Sequence, residues 1–283
     1  MSFQLLQWLA QNQSGKIKFY EDSFLWFLVD LLIKLSEYFM LNISNVTKRF
    51  GGIVAVSNCS FSVGKKEIIS LIGPNGAGKS TLFNCISNIY PIDDGTITFE
   101  KTRLDKTPTH KIAKLGISRS FQLTRVLDEL SVTENLVLHT AAGFGLNLLL
   151  KSITKKDLEK AHDLMNFLGI YHMRNASMSE LSYGQKKLLD LGSVLMSNPR
   201  LILLDEPAAG VNPRLLETIL EKILLLKNQG KTILLVEHNM ELVMGISDRV
   251  VVMVAGTVLK KGTPQEIQTD DDVLSAYLGS DRK

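Results

Sequence analysis

Three short runs, Ile68-Ile69-Ser70-Leu71-Ile72, Leu201-Ile202-Leu203-Leu204 and Thr232-Ile233-Leu234-Leu235-Val236, are almost wholly apolar, and each gives way at once to glycine or polar residues. Runs of that length without polar alternation predict strands covered on both faces, as in the middle of a parallel sheet. Elsewhere the pattern alternates. Leu41–Ile43 and Phe61–Val63 with a Gly51-Gly52 turn between them predict antiparallel strands, and Asp93-Asp94-Gly95 turns into an edge strand at Thr96–Phe99. Ile117–Gln122 reads as a strand ending in a polar residue, and Thr109–Leu115 as a short helix in a polar stretch. Helical spacing joins Leu82, Phe83, Cys85, Ile86 and Ile89 into one buried stripe, and Leu158, Ala161, Leu164, Met165 and Leu168 into another. The second helix has a capping signal in Thr154 and Asp157 and a stop at Gly169. Ser182 caps a helix running to about Asn198, and Asn212-Pro213 opens one that buries Leu215, Leu216, Ile219, Leu220 and Ile223. A hairpin at Arg249–Val254, Ala255-Gly256 and Thr257–Leu259, then a helix with Val273, Leu274, Tyr277 and Leu278, close an α/β chain.

Residues 1–40 differ from the rest. Phe24–Val29 and Leu31–Ile33 are apolar, and in a helix Asp30, Lys34 and Glu37 would share one narrow face. That segment is too short and too charged to read as a transmembrane helix. It has three readings: a membrane-surface helix, a docking helix for an integral partner, or an upstream extension ahead of a start at Met40. An interfacial or docking helix is favoured. The expected organisation is therefore an extension at 1–40 and a folded unit at 41–283, with a helical insertion at about 123–198. Within that insertion Gly143–Leu150 is unusually apolar, suited to a core or to a face against another protein.

Composition adds limits rather than direction. With 45% hydrophobic residues the 283-residue chain can build a sizeable core, and a net charge of +3 is too small to argue for nucleic acid. Cys59 and Cys85 lack metal-ligand spacing and read as small buried hydrophobes in a reducing compartment. Neither a secretory signal nor a membrane span is expected.

The chemistry starts at Gly73-Pro74-Asn75-Gly76-Ala77-Gly78-Lys79-Ser80-Thr81, between the first apolar strand and a helix. Strand, glycine-rich loop and a helix opening on Lys-Ser form the P-loop pattern. Gly76 and Gly78 let the backbone turn N–H groups towards a phosphate chain, and the helix N-terminus adds positive partial charge. Lys79 supplies a full charge to the β- and γ-phosphates, and Ser80 can ligate Mg²⁺. A plain connecting turn would not call for Lys followed by Ser, so the chain is expected to bind a nucleoside triphosphate. Asp205-Glu206 ends the second apolar strand, where open α/β sheets bind ligands, which favours a Mg²⁺ site over a solvated acidic pair. Glu237 and His238 end the third strand, at the same sheet end. His110, His139, His162 and His172 have no such context. Phe50 could stack on a base, although a lone Phe is more often core, and Gln122 alone is unremarkable.

Taken together, Gly73–Ser80, Gln122, Leu181-Ser182-Tyr183-Gly184-Gln185, Asp205-Glu206 and His238 resemble the Walker A, Q-loop, signature, Walker B and switch-histidine motifs of an ABC transporter ATPase subunit. The resemblance covers about 41–283. Arg49-Phe50-Gly51-Gly52, Tyr183, Asp205-Glu206-Pro207-Ala208-Ala209-Gly210 with Asn212-Pro213, and Ala276-Tyr277-Leu278-Gly279 are similar to branched-chain amino acid uptake cassettes and their urea and amide relatives. Tyr183 stands where a glycine is usual, and Asn212 where an Asp is common.

This resemblance implies a P-loop NTPase of ABC type: a mixed sheet core, an antiparallel β subdomain and a helical subdomain. It implies ATP and Mg²⁺ as ligands. Phe50 would stack on adenine, and residues 73–81 with Lys79 would hold phosphates. Ser80 and Gln122 would ligate Mg²⁺, with Asp205 acting through water; Glu206 would be the general base and His238 would contact the γ-phosphate. Ser182, Gly184 and Gln185 would meet the ATP of a second, head-to-tail ATPase subunit. Two membrane permeases and, indirectly, a solute-binding protein complete the implied bacterial importer, with this chain peripheral on the cytoplasmic face. A single cassette with a short insertion between Walker A and signature does not resemble the translation or DNA-repair members.

Overall fold

The computed structural model describes residues 38–120, 130–139 and 153–278. The chain divides into two compact units, Met1–Tyr38 and Phe39–Lys283. The expected N-terminal helix, Gln122 and the apolar stretch 143–150 lie outside the described residues.

The larger unit opens on a hairpin, β1 (Phe39–Phe50) and β2 (Ile53–Gly64), turned at Gly51-Gly52. β1 begins ahead of the boundary expected at 41, because Met40 is already a core side chain. β3 (Ile68–Ile72) leads through the glycine loop into α1 (Lys79–Ile86). β4 (Asp94–Phe99) and β5 (Thr102–Arg103) then return to β1, giving an antiparallel sheet ordered β2-β1-β4-β5. A helical turn, α2 (Thr109–Ile112), precedes β6 (Ile117–Arg119). The helical region holds α3 (Val132–Leu138), α4 (Lys155–Leu168) and α5 (Tyr183–Leu195). β7 (Leu201–Asp205), α6 (Pro213–Asn228) and β8 (Thr232–Val236) follow, then α7 (Met240–Ile246) and the hairpin of β9 (Arg249–Val254) and β10 (Thr257–Gly262). Two short helices, α8 (Pro264–Gln268) and α9 (Asp271–Leu278), close the described chain.

The second sheet runs β10-β9-β3-β8-β7-β6, parallel throughout except at β10. Its central strands are apolar because both faces are covered. On β7, Leu201 and Leu203 face one cluster with α1 and the antiparallel sheet, while Ile202 and Leu204 face the other with α5 and α6. β8 divides likewise, Leu234 and Val236 against Ile233 and Leu235. Alternate side chains thus feed two cores, the geometric reason these strands show no polar alternation.

Local signals hold at most helix ends. Thr154 and Asp157 form a reciprocal capping box on α4, and Asn212 Oδ1 accepts from the Leu215 N–H at 2.9 Å with Pro213 at the first position of α6. Three helical expectations are corrected. α1 stops at Ile86, the chain turns at Asn88 with φ 48°, and Ile89 is solvent-exposed rather than buried. Leu158 is exposed because the first turn of α4 stands clear of the core that buries Ala161, Met165 and Leu168. α5 ends at Leu195, before the expected Asn198, which takes a left-handed φ of 51°.

Two groups on this frame carry testable consequences. Cys59 and Cys85 are fully buried, and burial pushes their thiols up to about 12 and about 11. At pH 8 neither should react with a thiol reagent such as DTNB in the native chain, and both should react at once in denaturant. Glu67, also buried, accepts from the Gly64 N–H at 2.6 Å and from two nitrogens of Arg249, joining the end of β2 to β9. Glu67→Ala takes the carboxylate from the Arg249 guanidinium, which is about a third exposed and keeps its bond to the Ser62 carbonyl at 2.9 Å. The expected loss is therefore about 2–3 kcal/mol in denaturant unfolding, below the ~3–5 of a fully buried pair.

Candidate functional site

Pairing register decides where the loops open. Val236 on β8 lies opposite Leu71 of β3 on one side and Asp205 of β7 on the other. Three parallel strands therefore finish level, and the residues that follow them (the glycine loop, Glu206, then Glu237 and His238) emerge along one edge.

The glycine loop is walled in by backbone. A β-carbon on Gly73 would lie 2.0 Å from the Met253 carbonyl oxygen, and one on Gly78 would lie 2.3 Å from that of Ala55. Gly76, expected to need close approach, has open space around it, and only its φ of 80° calls for glycine. Gly78 caps α1 in the left-handed conformation and Ala77 is buried, which leaves Asn75, Gly76 and Ser80 facing outward and Thr81 half-buried. Pro74 accepts from the Ala77 N–H at 3.1 Å, closing the turn. The Lys79 ammonium is buried inside this ring and donates to the carbonyls of Gly73 at 2.7 Å and Pro74 at 3.0 Å. Burial pushes its pKa down from the ordinary lysine value, and the carboxylates of Glu206 and Asp205 oppose that shift.

The carboxylates are held from several elements. Asp205 pairs through Oδ2 with Arg119 of β6 at 2.8 Å, and its N–H donates to Ser120 Oγ at 2.9 Å. Arg119 reaches on to Asn84 of α1 at 2.8 Å. Asp205 Oδ1 is buried and, among the described residues, has no hydrogen-bond partner. Glu206 sits at φ 49°, strained for a residue with a β-carbon, and its carboxylate lies 3.2 Å from His238 Nε2. Glu237 turns inward: Oε1 accepts from the Ala208 N–H at 2.8 Å, and Oε2 from the N–H groups of His238 at 2.9 Å and Asn239 at 3.0 Å. It thereby locks the loops after β7 and β8 together. Among the described residues no group of three or more His, Cys, Asp or Glu could hold a metal ion; a cation bound here would share hydroxyl, water or phosphate oxygens. The orphaned, buried Asp205 Oδ1 fits such a shared site, as an acceptor for a cation's water.

Lys79, Asp205, Glu206 and His238 are thus brought together as expected. Phe50 stands exposed at the end of β1, edge-on to Tyr90 with ring centroids 5.2 Å apart, and Lys48 lies 5.2 Å from its centre. Ser182 caps α5 in a reciprocal box with Gln185, and a β-carbon on Gly184 would lie 2.6 Å from Leu215 Cδ2. Among the described residues no hydrogen bond links 182–185 to the glycine loop of the same chain. Arg119, Ser120 and Glu237 are site residues that the sequence pattern did not single out. Glu237 carried one available signal, its place beside His238 at a strand end; Arg119 and Ser120 carried none.

Comparison with known proteins agrees with this geometry. Residues 56–209 match the ABC transporter family, and residues 261–283 match the family described as branched-chain amino acid ATP-binding cassette transporter. The chain is 40% identical over 249 residues to the high-affinity branched-chain amino acid transport ATP-binding protein LivG of Escherichia coli, covering 85% of this chain and 98% of the relative. It is 37% identical to BraF of Pseudomonas aeruginosa, described in the same words, again with 85% and 98% coverage. Among solved structures, a nucleotide-free ATP-binding cassette from an ABC transporter superposes with a TM-score of 0.78 at 34% identity, covering 84% of this chain and 98% of that one. The ADP conformation of an ABC transporter cassette gives 0.78 at 35% identity, covering 85% and 99%. The chain belongs to the ABC transporter family, as one of its nucleotide-binding, ATP-hydrolysing proteins.

Proposed function

We propose that this ATPase drives uptake of branched-chain amino acids, working on the cytoplasmic face of the cell membrane beneath two permease subunits and paired head-to-tail with a second ATPase subunit. The hydrolytic part rests above all on the Glu206–His238 contact, 3.2 Å long, at the level strand ends that also carry Lys79 and Asp205. The choice of solute rests on the C-terminal match at 261–283 and on the likeness to LivG and BraF. Among the described residues no helix is long and apolar enough to cross a membrane.

In this mechanism the triphosphate takes over Lys79 from the Gly73 and Pro74 carbonyls, and the N–H groups of residues 75–80 line the phosphates. Phe50 stacks on the adenine. Mg²⁺, when bound, neutralises phosphate charge; Ser80 and Gln122 would hold it, with Asp205 acting through water. Arg119 holds Asp205 in place through one carboxylate oxygen while the other stays available. Glu206 takes the proton of the attacking water, and His238 contacts the γ-phosphate. Ser182, Gly184 and Gln185 serve the ATP of the opposite subunit.

Glu206→Gln keeps the shape and removes the base. ATP affinity should stay within about twofold while turnover falls at least ~10²-fold. Near-normal turnover in a steady-state phosphate-release assay would falsify the base assignment. For the solute, cells whose copy carries Glu206→Gln should lose uptake of labelled leucine, isoleucine and valine while keeping that of urea and short amides. The opposite pattern moves the assignment to a urea or amide importer.

A further inference from the structure

The mechanism leaves unexplained how Glu206 is kept in its left-handed backbone conformation. The loop after β7 turns on its own hydrogen bonds, Ala209 N–H to the Glu206 carbonyl at 3.1 Å and Val211 N–H to the Ala208 carbonyl at 3.3 Å. Two further bonds come from the first turns of α5. The Tyr183 hydroxyl donates to the Ala209 carbonyl at 2.9 Å, although its residue is 55% exposed. One helical turn on, Lys187 Nζ donates to the Glu206 carbonyl at 3.3 Å and lies 5.8 Å from the centre of the Tyr183 ring. The ring is also seated against the loop: Gly210 has φ 71°, and a β-carbon there would lie 3.2 Å from the Tyr183 hydroxyl oxygen. Behind the strap Ser120, Lys187, Asp190 and Asp205 help line a cavity of about 20 Å³, room for one bridging water.

We propose that Tyr183 and Lys187 are positioning residues, which strap the backbone of Glu206 to the start of α5 and so make the general base of one site answer to the helix end that serves the other. The inference rests on the reading that Glu206 is the base and that Ser182 faces a second subunit's ATP. It gives Tyr183 a task that the usual glycine could not perform, since glycine has no hydroxyl to reach Ala209. Force on Ser182 reaches Glu206 through two hydrogen bonds across neighbouring elements, without crossing the sheet. Lys187 contacts the carbonyl and not the carboxylate, so it acts on the geometry of the base rather than on its proton.

The test uses the full chain with Tyr183→Phe, Lys187→Met and Lys187→Arg. Amide hydrogen exchange should rise about 3–10-fold across residues 206–212 in Tyr183→Phe and in Lys187→Met, the factor expected for one hydrogen bond of ordinary net strength. Exchange in strand 201–205 should rise less than at 206–212, and the thermal midpoint should fall by no more than about 4 °C per kcal/mol lost. In the assembled transporter the same two variants should lower kcat by about that factor with KM within about twofold, and Lys187→Arg should restore both readouts. Unchanged exchange at 206–212, or kcat lost only in step with thermal stability, overturns the strap. A Glu206→Gln chain that still turns over overturns instead the reading beneath it, whereas an inactive Glu206→Gln beside an unmoved Tyr183→Phe removes the strap alone.

Discussion

The in-register pairing of β3, β8 and β7 is the constraint from which the site follows. Each of these strands has side chains packed on both faces, so sliding one by a single residue would exchange the two cores it feeds. That penalty pins Val236 between Leu71 and Asp205. With the strands pinned, the ammonium of Lys79, the carboxylates of Asp205 and Glu206 and the imidazole of His238 gather at one edge although they come from three separate segments. The packing that stabilises the fold is therefore the same packing that sets the reacting geometry.

Charge is arranged on this edge with few loose ends. Lys79 is taken out of water yet satisfied by two carbonyls, and nearby carboxylates oppose the loss of its proton. Asp205 is matched by Arg119 on one oxygen and left with one acceptor in reserve. Glu237 spends its carboxylate entirely on backbone N–H groups, which makes it a brace and not a reagent. Three neighbouring acids thus face three different partners, an arginine for Asp205, an imidazole for Glu206 and backbone N–H groups for Glu237. Preorganisation of this kind is what phosphoryl transfer requires, because the protein contributes position and charge more than covalent chemistry.

In the proposed mechanism the signature segment and the loop after β7 serve two halves of one reaction. Ser182, Gly184 and Gln185 sit at the start of α5, while Glu206 follows β7, and Gly184 packs against Leu215 of α6. The signature serine and the catalytic loop are thus parts of one packed body in the chain. In a head-to-tail pair that body would touch one ATP with its helix end and act on another with its carboxylate. Coupling between the two sites then needs a short, rigid connection, and the contacts of Tyr183 and Lys187 with the loop supply it.

What the linear chain determined was local: strand, glycine loop and helix at 68–86, the caps at Thr154, Ser182 and Asn212, and polar residues placed directly after apolar strands. Those features depend on backbone preferences and on side chains a few positions apart, so Lys79, Asp205, Glu206 and His238 could be picked out in order. The same periodicity misjudged Ile89 and Leu158, since a helical repeat reports a shared face but neither where the helix stops nor what covers that face. Sheet order, the backbone wall around Gly73 and Gly78, the pairing of Arg119 with Asp205 and the inward turn of Glu237 were decided by the tertiary structure alone. Each joins segments far apart in the chain, and the alternation of apolar and polar residues does not say which strand will lie beside which.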